Sequence, residues 1–124
     1  MNTIEAAALA LVGSRFRLHG RDPATGLDCV GVVALAAGVD APTGYALRGG
    51  SLELVDRVLQ ESGFFQVLEA APGDLVLMQP GPGQLHLGVR TAGGFVHADM
   101  GLRRVAERPG QSVGEVLGIW RRLS

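Results

Sequence analysis

The spacing of apolar residues changes along the chain, from helical periodicity in the first half to strand-like segments in the second. In the first half, apolar positions either recur every three to four residues or fill a short run, which is typical of amphipathic and of buried helices. Polar capping residues stand where helices would begin, and glycine stands where they would end. The three predicted helices are Thr3–Val12 (capped by Asn2 with Glu5), Cys29–Ala37 (capped by Asp28) and a helix from the cap Ser51 to the stop Gly63.

Short apolar segments separated by turn residues predict strands in the second half of the chain. Helices followed by antiparallel strands define an α+β fold class, and 124 residues without an internal repeat or linker fit one domain, residues 1–124. Residues 14–27 and 39–50 contain glycine and proline and are predicted as loops. The predicted strands are 64–68, 74–79, 85–91, 95–99, 102–107 and 116–122, the last being either a strand or a docking tail.

Two of the predicted strands carry one histidine each and are joined by a tight hairpin at Ala92-Gly93. Because antiparallel partners keep a constant sum of residue numbers, Gly88 should face His97, and position 86 should face position 99. Side chains alternate along a strand, so His86 and His97 should point to the same face of the sheet. We expect the missing side chain of Gly88 to leave room for the two imidazole rings to approach each other.

The composition excludes several classes of function. Eleven basic and 12 acidic residues give a net charge of -1, which is not the charge balance of a nucleic-acid-binding protein. The basic residues are all Arg, so a P-loop and a Schiff-base enzyme, which both need Lys, are excluded. The first residues lack a signal-peptide pattern, and no run approaches the ~18 apolar residues of a membrane span. We therefore expect a protein that is cytoplasmic on synthesis and has no membrane span.

Cys29 is the only cysteine, which excludes an internal disulfide framework and a multi-cysteine zinc site. At the first turn of a helix its thiolate would be stabilised by backbone N–H groups and by the helix dipole, as a nucleophile requires. A buried, unreactive thiol is an equally good interpretation of this position. A base within reach of Cys29 would decide between the two.

The two strand histidines could supply that base. His86 can take the thiol proton and return it to the leaving amine, while His97 bonds the far ring nitrogen of His86 and fixes its tautomer. The alternative is a pair of half-exposed histidines without a catalytic role. A metal site of His86, His97 and Asp99 is the weakest interpretation because their spacing is not characteristic, and no metal or cofactor is expected. His19 is interpreted as a surface or groove residue, and Asp74 as the start of a strand.

Three ordered blocks contain these candidate residues: Gly26-Leu27-Asp28-Cys29-Val30-Gly31, then Pro72-Gly73-Asp74-Leu75-Val76, then His86-Leu87-Gly88-Val89 followed by Phe95-Val96-His97-Ala98. In order and spacing they resemble the NlpC-type cell-wall cysteine peptidases, a family with a papain-like fold. The resemblance implies that Cys29 is the nucleophile, His86 the base and His97 the third polar residue. It also implies a peptidoglycan stem peptide as substrate, commonly cut between D-glutamate and a diamino acid.

The chain departs from the family pattern next to the predicted nucleophile and in the predicted groove. Val30 stands where the family has Ser, a change that removes no proton carrier. Residues 13–20 are similar to a family block that lines the substrate groove, but Phe16 replaces its Tyr. We expect the preference of the groove to be altered at that position. The residues expected to contact substrate are Phe16, Asp28, Val30 and Gly88.

Two segments, Phe16-Arg17-Leu18-His19-Gly20 and His97-Ala98-Asp99-Met100-Gly101-Leu102-Arg103-Arg104-Val105, are similar to the phage-tail and gene-transfer-agent branch of that family. The resemblance implies proteins of such a particle as partners, with the enzyme carried to the cell wall and acting in the periplasm. Two other functions stay open. One is a wall amidase or acyl transferase that uses the same residues, and the other is a non-catalytic tail or adaptor module.

Overall fold

The computed structural model describes residues 2–41 and 52–123. Three helices precede most of the strands in these residues, which confirms the predicted α+β fold class. In chain order the elements are α1 (Thr3–Ala10), β1 (Arg21–Asp22), β2 (Gly26–Leu27), α2 (Cys29–Ala37), α3 (Leu52–Glu61), β3 (Phe64–Gln66), β4 (Leu75–Gln79), β5 (His86–Thr91), β6 (Gly94–Asp99), β7 (Arg104–Arg108) and β8 (Glu115–Arg122).

The first two helices begin at the capping residues that the sequence predicts. The side chain of Asn2 accepts hydrogen bonds from backbone N–H groups in the first turn of α1, and Asp28 does the same for α2. Gly38 ends α2 with φ of 67°, a left-handed conformation that favours glycine. The first helix ends at Ala10 with Leu11 as its C-cap, slightly before the predicted end near Val12. The predicted cap of the third helix lies outside the described residues.

Residues 14–27 are not the irregular loop that their glycine and proline content predicts. β1 and β2 pair as a short antiparallel hairpin, with Arg21 opposite Leu27. Phe16 forms an isolated bridge to Leu27, and Arg15 forms one to Arg104 at the start of β7. Strands of two residues are too short to produce a periodic pattern, which is why the sequence does not reveal them. This hairpin leads the chain directly into the start of α2.

Six strands form one antiparallel sheet in the order β3-β8-β4-β5-β6-β7. β8 pairs with β3 on one side and with β4 on the other, so the terminal segment is an internal strand and not a docking tail. Trp120 in β8 is fully buried, and its Nε1 donates a hydrogen bond of 2.8 Å to Asp56 of α3. The Arg121 guanidinium pairs with Asp74, which lies one residue before β4 and not in it as predicted.

The β5–β6 hairpin has the predicted register next to its turn. Gly88 faces His97 and Thr91 faces Gly94, so the loop has two residues. The predicted pairing of positions 86 and 99 is wrong. The pairing of β5 with β6 ends at Gly88 and His97, while on their other edges His86 pairs with Met78 of β4 and Asp99 pairs with Arg104 of β7. The two histidine-bearing strands therefore diverge at the end where the histidines lie.

Apolar side chains pack on both faces of the sheet. The larger cluster includes Cys29 together with residues of β5 such as Leu87, and it lies on the side covered by α1 and α2. A smaller cluster of Val76, Met78 and Phe95 lies on the other face. Strand alternation places His86 and His97 on the face of this smaller cluster. The candidate nucleophile and the candidate bases thus approach β5 from different sides.

Candidate active site

Cys29 is the first residue of α2, and its position is set by the buried carboxylate of Asp28. One oxygen of Asp28 accepts a 2.9 Å hydrogen bond from the Gly31 N–H, and the other accepts a 2.8 Å bond from the His19 N–H. The Arg21 guanidinium lies 3.2 Å from the same carboxylate. Asp28 therefore joins the start of α2 to the preceding hairpin. Since both oxygens are occupied and Asp28 is 0% exposed, we assign it to positioning and not to substrate contact.

The thiol of Cys29 is neutral near physiological pH. Burial raises its pKa to about 11, although the backbone N–H groups of Leu87, Val30 and Cys29 itself favour the thiolate. Asp28 adds to the rise through its negative charge. The stabilised thiolate expected at a helix N-terminus is therefore not formed, because the cost of burying a charge exceeds the contribution of those N–H groups. Cys29 is only 3% exposed.

His86 and His97 form the direct contact that strand alternation predicts. The Nε2 atom of His86 lies 2.7 Å from Nδ1 of His97, with the rings nearly perpendicular at 82°. Burial, and to a smaller extent His97, lower the pKa of His86 to about 4, while Asp99 opposes the shift. The pKa of His97 is also lowered by burial. Both rings are consequently neutral near physiological pH, and the Nδ1 atom of His86 is the ring nitrogen that His97 leaves free.

The peptide group between His86 and Leu87 connects the two parts of the site. The Leu87 N–H is among the groups that favour the Cys29 thiolate, which places the sulfur beside this peptide group. Among the described residues, the Cys29 thiol and the His86 ring do not hydrogen-bond to each other. The three candidate residues therefore lie around one end of β5, with the two histidines bonded and the thiol adjacent to their strand.

Gly88 is needed for packing, but not in the way the sequence suggests. A Cβ atom at this position would lie 2.9 Å from Met78 Cε and 3.3 Å from Phe95 Cδ2. The space is therefore filled by the smaller apolar cluster and not by the imidazole rings. The effect on the site is indirect, since the Phe95 ring packs against the His97 ring with 4.9 Å between centroids.

The remaining predicted groove residues lie beside Cys29 and pack inward. Phe16 and Val30 are half-buried and pack against the larger apolar cluster. The Phe16 N–H donates a 2.9 Å hydrogen bond to the Arg103 carbonyl, which holds this segment against the start of β7. His19 is half-buried and has φ of 60°, so its backbone is in the left-handed region.

A cavity of about 370 Å³ opens beside the histidines. Its walls include His86, His97, Asp99 and Arg108, whereas Cys29 does not line it. Asp99 lies 3.6 Å from the Nε2 atom of His97, the ring nitrogen that His86 does not use. Sequence reasoning gave Asp99 only a place in a weak metal site and did not single out Arg108. Alternation along β6 would have placed Asp99 on the same face as His97.

In residues 2–41 and 52–123, no group of three or more His, Cys, Asp or Glu side chains is placed to hold a metal ion. The weak metal site considered for His86, His97 and Asp99 is therefore not formed. Within the same residues, no helix is long and apolar enough to span a membrane.

No family model and no curated protein matches the chain. The fold, however, matches solved structures. The NlpC/p60 domain of the peptidoglycan hydrolase SagA superposes with a TM-score of 0.56 at 22% identity, over 99% of this chain and 100% of that domain. The peptidoglycan hydrolase RipB from Mycobacterium tuberculosis gives a TM-score of 0.63 at 24% identity, over 98% of this chain and 64% of the RipB chain. The chain thus has the NlpC/p60, papain-like fold.

Proposed function

We propose that this protein is a cysteine peptidase that hydrolyses amide bonds in peptidoglycan stem peptides. The observation that carries the proposal is the histidine pair, bonded at 2.7 Å at the end of β5, the strand whose Leu87 N–H favours the Cys29 thiolate. A nucleophile beside a base that is oriented by a third group is the arrangement needed for acyl transfer. The fold supports the choice of substrate, because both structural neighbours are named as peptidoglycan hydrolases.

The reaction begins with a neutral thiol and a neutral imidazole. As the Cys29 sulfur attacks the amide carbonyl carbon, the thiol proton passes to Nδ1 of His86. The carbonyl oxygen becomes an oxyanion that backbone N–H groups at the start of α2 stabilise. His86 then gives the proton to the leaving amine as the carbon–nitrogen bond breaks, which leaves a thioester on Cys29. Water, with His86 as its base, hydrolyses the thioester and restores the thiol.

We expect proton transfer to accompany the attack, because the raised pKa of Cys29 and the lowered pKa of His86 both disfavour an ion pair before bonding begins. A thiol with a pKa of about 11 does not give its proton to an imidazole with a pKa of about 4 before bonding begins. The thiol and the His86 ring are not hydrogen-bonded in this structure, so the proposed transfer requires their contact to form when substrate binds. Catalytic hydrogen bonds commonly tighten in this way when an enzyme binds its substrate.

The bond we propose is the one between D-glutamate and the diamino acid of the stem peptide. This detail is supported by the resemblance of the three sequence blocks around Cys29, Asp74 and His86. Phe16 lacks a hydroxyl group and packs against the apolar cluster, so it offers the substrate no hydrogen bond. We expect the groove beside Phe16 to prefer a less polar contact than a Tyr at that position would.

The experiment is a digest of purified cell walls with two different diamino acids in their stem peptides, followed by mass spectrometry of the released muropeptides. Wild-type protein should release fragments whose masses locate the cut after D-glutamate, whereas folded Cys29→Ala should release none. Fragments cut at the sugar–peptide junction would instead identify an amidase, and transferred acyl groups would identify an acyl transferase. Intact walls after treatment with folded wild-type protein would contradict the proposed activity.

Delivery by a phage-tail or gene-transfer-agent particle is part of the proposal. It is supported by the similarity of residues 16–20 and 97–105 to that branch of the family. The protein would then be synthesised in the cytoplasm and would reach the periplasmic wall with the particle. Purified particles that lack the protein would contradict this route without affecting the proposed chemistry.

A non-catalytic adaptor is the second candidate function, and one observation favours it. Cys29 is 3% exposed and has a raised pKa, as an inert packed thiol would have. The histidine pair counts against an adaptor. An adaptor has no use for the bond between His86 and His97, and burying two imidazole rings costs stability. The wall digest separates the two candidates, because an adaptor leaves every stem peptide intact.

A further inference from the structure

The bond between the two histidines can be made in two ways, and only one of them allows catalysis. A separation of 2.7 Å between Nε2 of His86 and Nδ1 of His97 requires one nitrogen to donate and the other to accept. If His86 donates from Nε2, its Nδ1 atom carries no proton and can accept one from Cys29. If His97 donates from Nδ1, a neutral His86 holds its proton on Nδ1 and cannot act as the base.

The far nitrogen of His97 decides between these two arrangements. His97 is 4% exposed, and its Nε2 atom is buried with no hydrogen-bond partner. The nearest charged group that the structure places there is the Asp99 carboxylate, whose Oδ2 lies 3.6 Å away. Because a carboxylate can only accept, a proton on Nε2 of His97 is favoured and Nδ1 becomes the acceptor.

Asp99 is held in place for this role by its other oxygen. Oδ1 accepts a 3.0 Å hydrogen bond from the Leu102 N–H in the turn between β6 and β7. That leaves Oδ2 directed toward His97. The side chain is 21% exposed, and the Leu102 N–H lowers the pKa of Asp99 below its ordinary value, so the group is ionised near neutral pH.

From this geometry we propose that Asp99 is a positioning residue that selects the tautomers of both histidines. Its carboxylate, 3.6 Å from Nε2 of His97, favours a proton on that nitrogen by its negative charge, which makes Nδ1 of His97 the acceptor for Nε2–H of His86 and leaves Nδ1 of His86 free. When His86 takes the thiol proton, the same negative charge stabilises the positive charge that spreads over the two rings. The catalytic consequence rests on the proposed peptidase function, whereas the tautomer assignment does not.

Arg108 is a second charged group near His97, and it shifts the pKa of His97 in the direction opposite to Asp99. Arg108 of β7 lines the same cavity and lowers the pKa of His97. A guanidinium cannot accept a hydrogen bond, so it cannot hold a proton on Nε2 of His97. Asp99 is therefore the charged group beside His97 that favours a proton on its Nε2 atom.

The test is nitrogen-15 NMR of the imidazole rings, which reports directly which ring nitrogen carries the proton. In wild-type protein we expect both His86 and His97 to be Nε2–H tautomers near neutral pH. The substitution Asp99→Asn keeps the size of the side chain. Its carbonyl oxygen should stay with the Leu102 N–H and turn the amide NH₂ group toward His97. We expect that change to convert both rings to Nδ1–H tautomers.

The matched control is Asp22→Asn, since Asp22 also caps a turn, with its Oδ1 2.9 Å from the Ala24 N–H, and is exposed in β1. It should change neither the tautomers nor the rate of stem-peptide cleavage. Asp99→Asn should lower that rate on the order of 10²- to 10⁴-fold, and Asp99→Glu should recover part of it.

Nδ1–H rings in the wild-type protein, or rings unchanged by Asp99→Asn, would overturn the role of Asp99. Wild-type protein that cleaves no stem peptide but has the expected tautomers would contradict only the peptidase function.

Discussion

Replacing Asp28 should destabilise the protein more than replacing any exposed carboxylate. Asp28→Ala removes the N-cap of α2 and leaves the N–H groups of Gly31 and His19 without their acceptor. It also separates the Arg21 guanidinium, which is 25% exposed, from its charge partner. The N-cap bond from the Gly31 N–H contributes about 1 kcal/mol, and leaving the His19 N–H without Asp28 costs about 1–3 kcal/mol. We expect the free energy of unfolding to fall by about 2–4 kcal/mol.

The measurement is urea denaturation near neutral pH, with the free energy of unfolding compared between variants. Asp22→Ala is the matched control, because it removes a turn cap of the same kind at an exposed site and should cost less than about 1 kcal/mol. Equal losses in the two variants would show that the buried contacts of Asp28 add nothing to its cap. A loss below about 1 kcal/mol for Asp28→Ala would refute the reasoning outright.

Three further predictions follow from the site. The free energy of unfolding should fall as the pH drops from 6.5 to about 4, because buried His86 stays neutral over this range while the unfolded chain binds the proton. The difference between a pKa of 6.5 and one of about 4 corresponds to about 3 kcal/mol, a loss that His86→Gln should remove in urea titrations at several pH values. Near neutral pH, iodoacetamide should alkylate Cys29 about 100-fold more slowly in folded than in urea-unfolded protein, so equal rates would contradict the raised pKa. Gly88→Ala should cost about 1–3 kcal/mol by crowding Met78, whereas Gly81→Ala, which meets only the end of the Gln84 side chain, should unfold like wild type.

The α2 start and the β5–β6 hairpin could be predicted because each depends on local rules. Asp28 before an apolar run is a helix cap, and a two-residue loop at Ala92-Gly93 sets the register that puts His86 and His97 on one face. Alternation then accounts for their contact. These features need no knowledge of the rest of the chain.

The properties that sequence could not supply depend on burial and on distant contacts. The raised pKa of Cys29 reflects its burial in the larger apolar cluster, which helix position alone does not reveal. The space beside Gly88 belongs to Met78 and Phe95, and Met78 is on β4, a strand that the hairpin pattern does not specify. Asp99 lies close to His97 because the Leu102 N–H holds its Oδ1 atom, which directs its Oδ2 atom toward His97.

The central claim is that Cys29 forms a thioester with the stem peptide while His86 carries the proton. Acid-quenched reactions of wild-type protein with a synthetic stem peptide, analysed by intact-protein mass spectrometry, test it most directly. We expect an added mass equal to the acyl part of the peptide, located on Cys29 by digestion, and no added mass in His86→Gln or Cys29→Ala. Cleavage of the peptide by folded Cys29→Ala at the wild-type rate would contradict the claim.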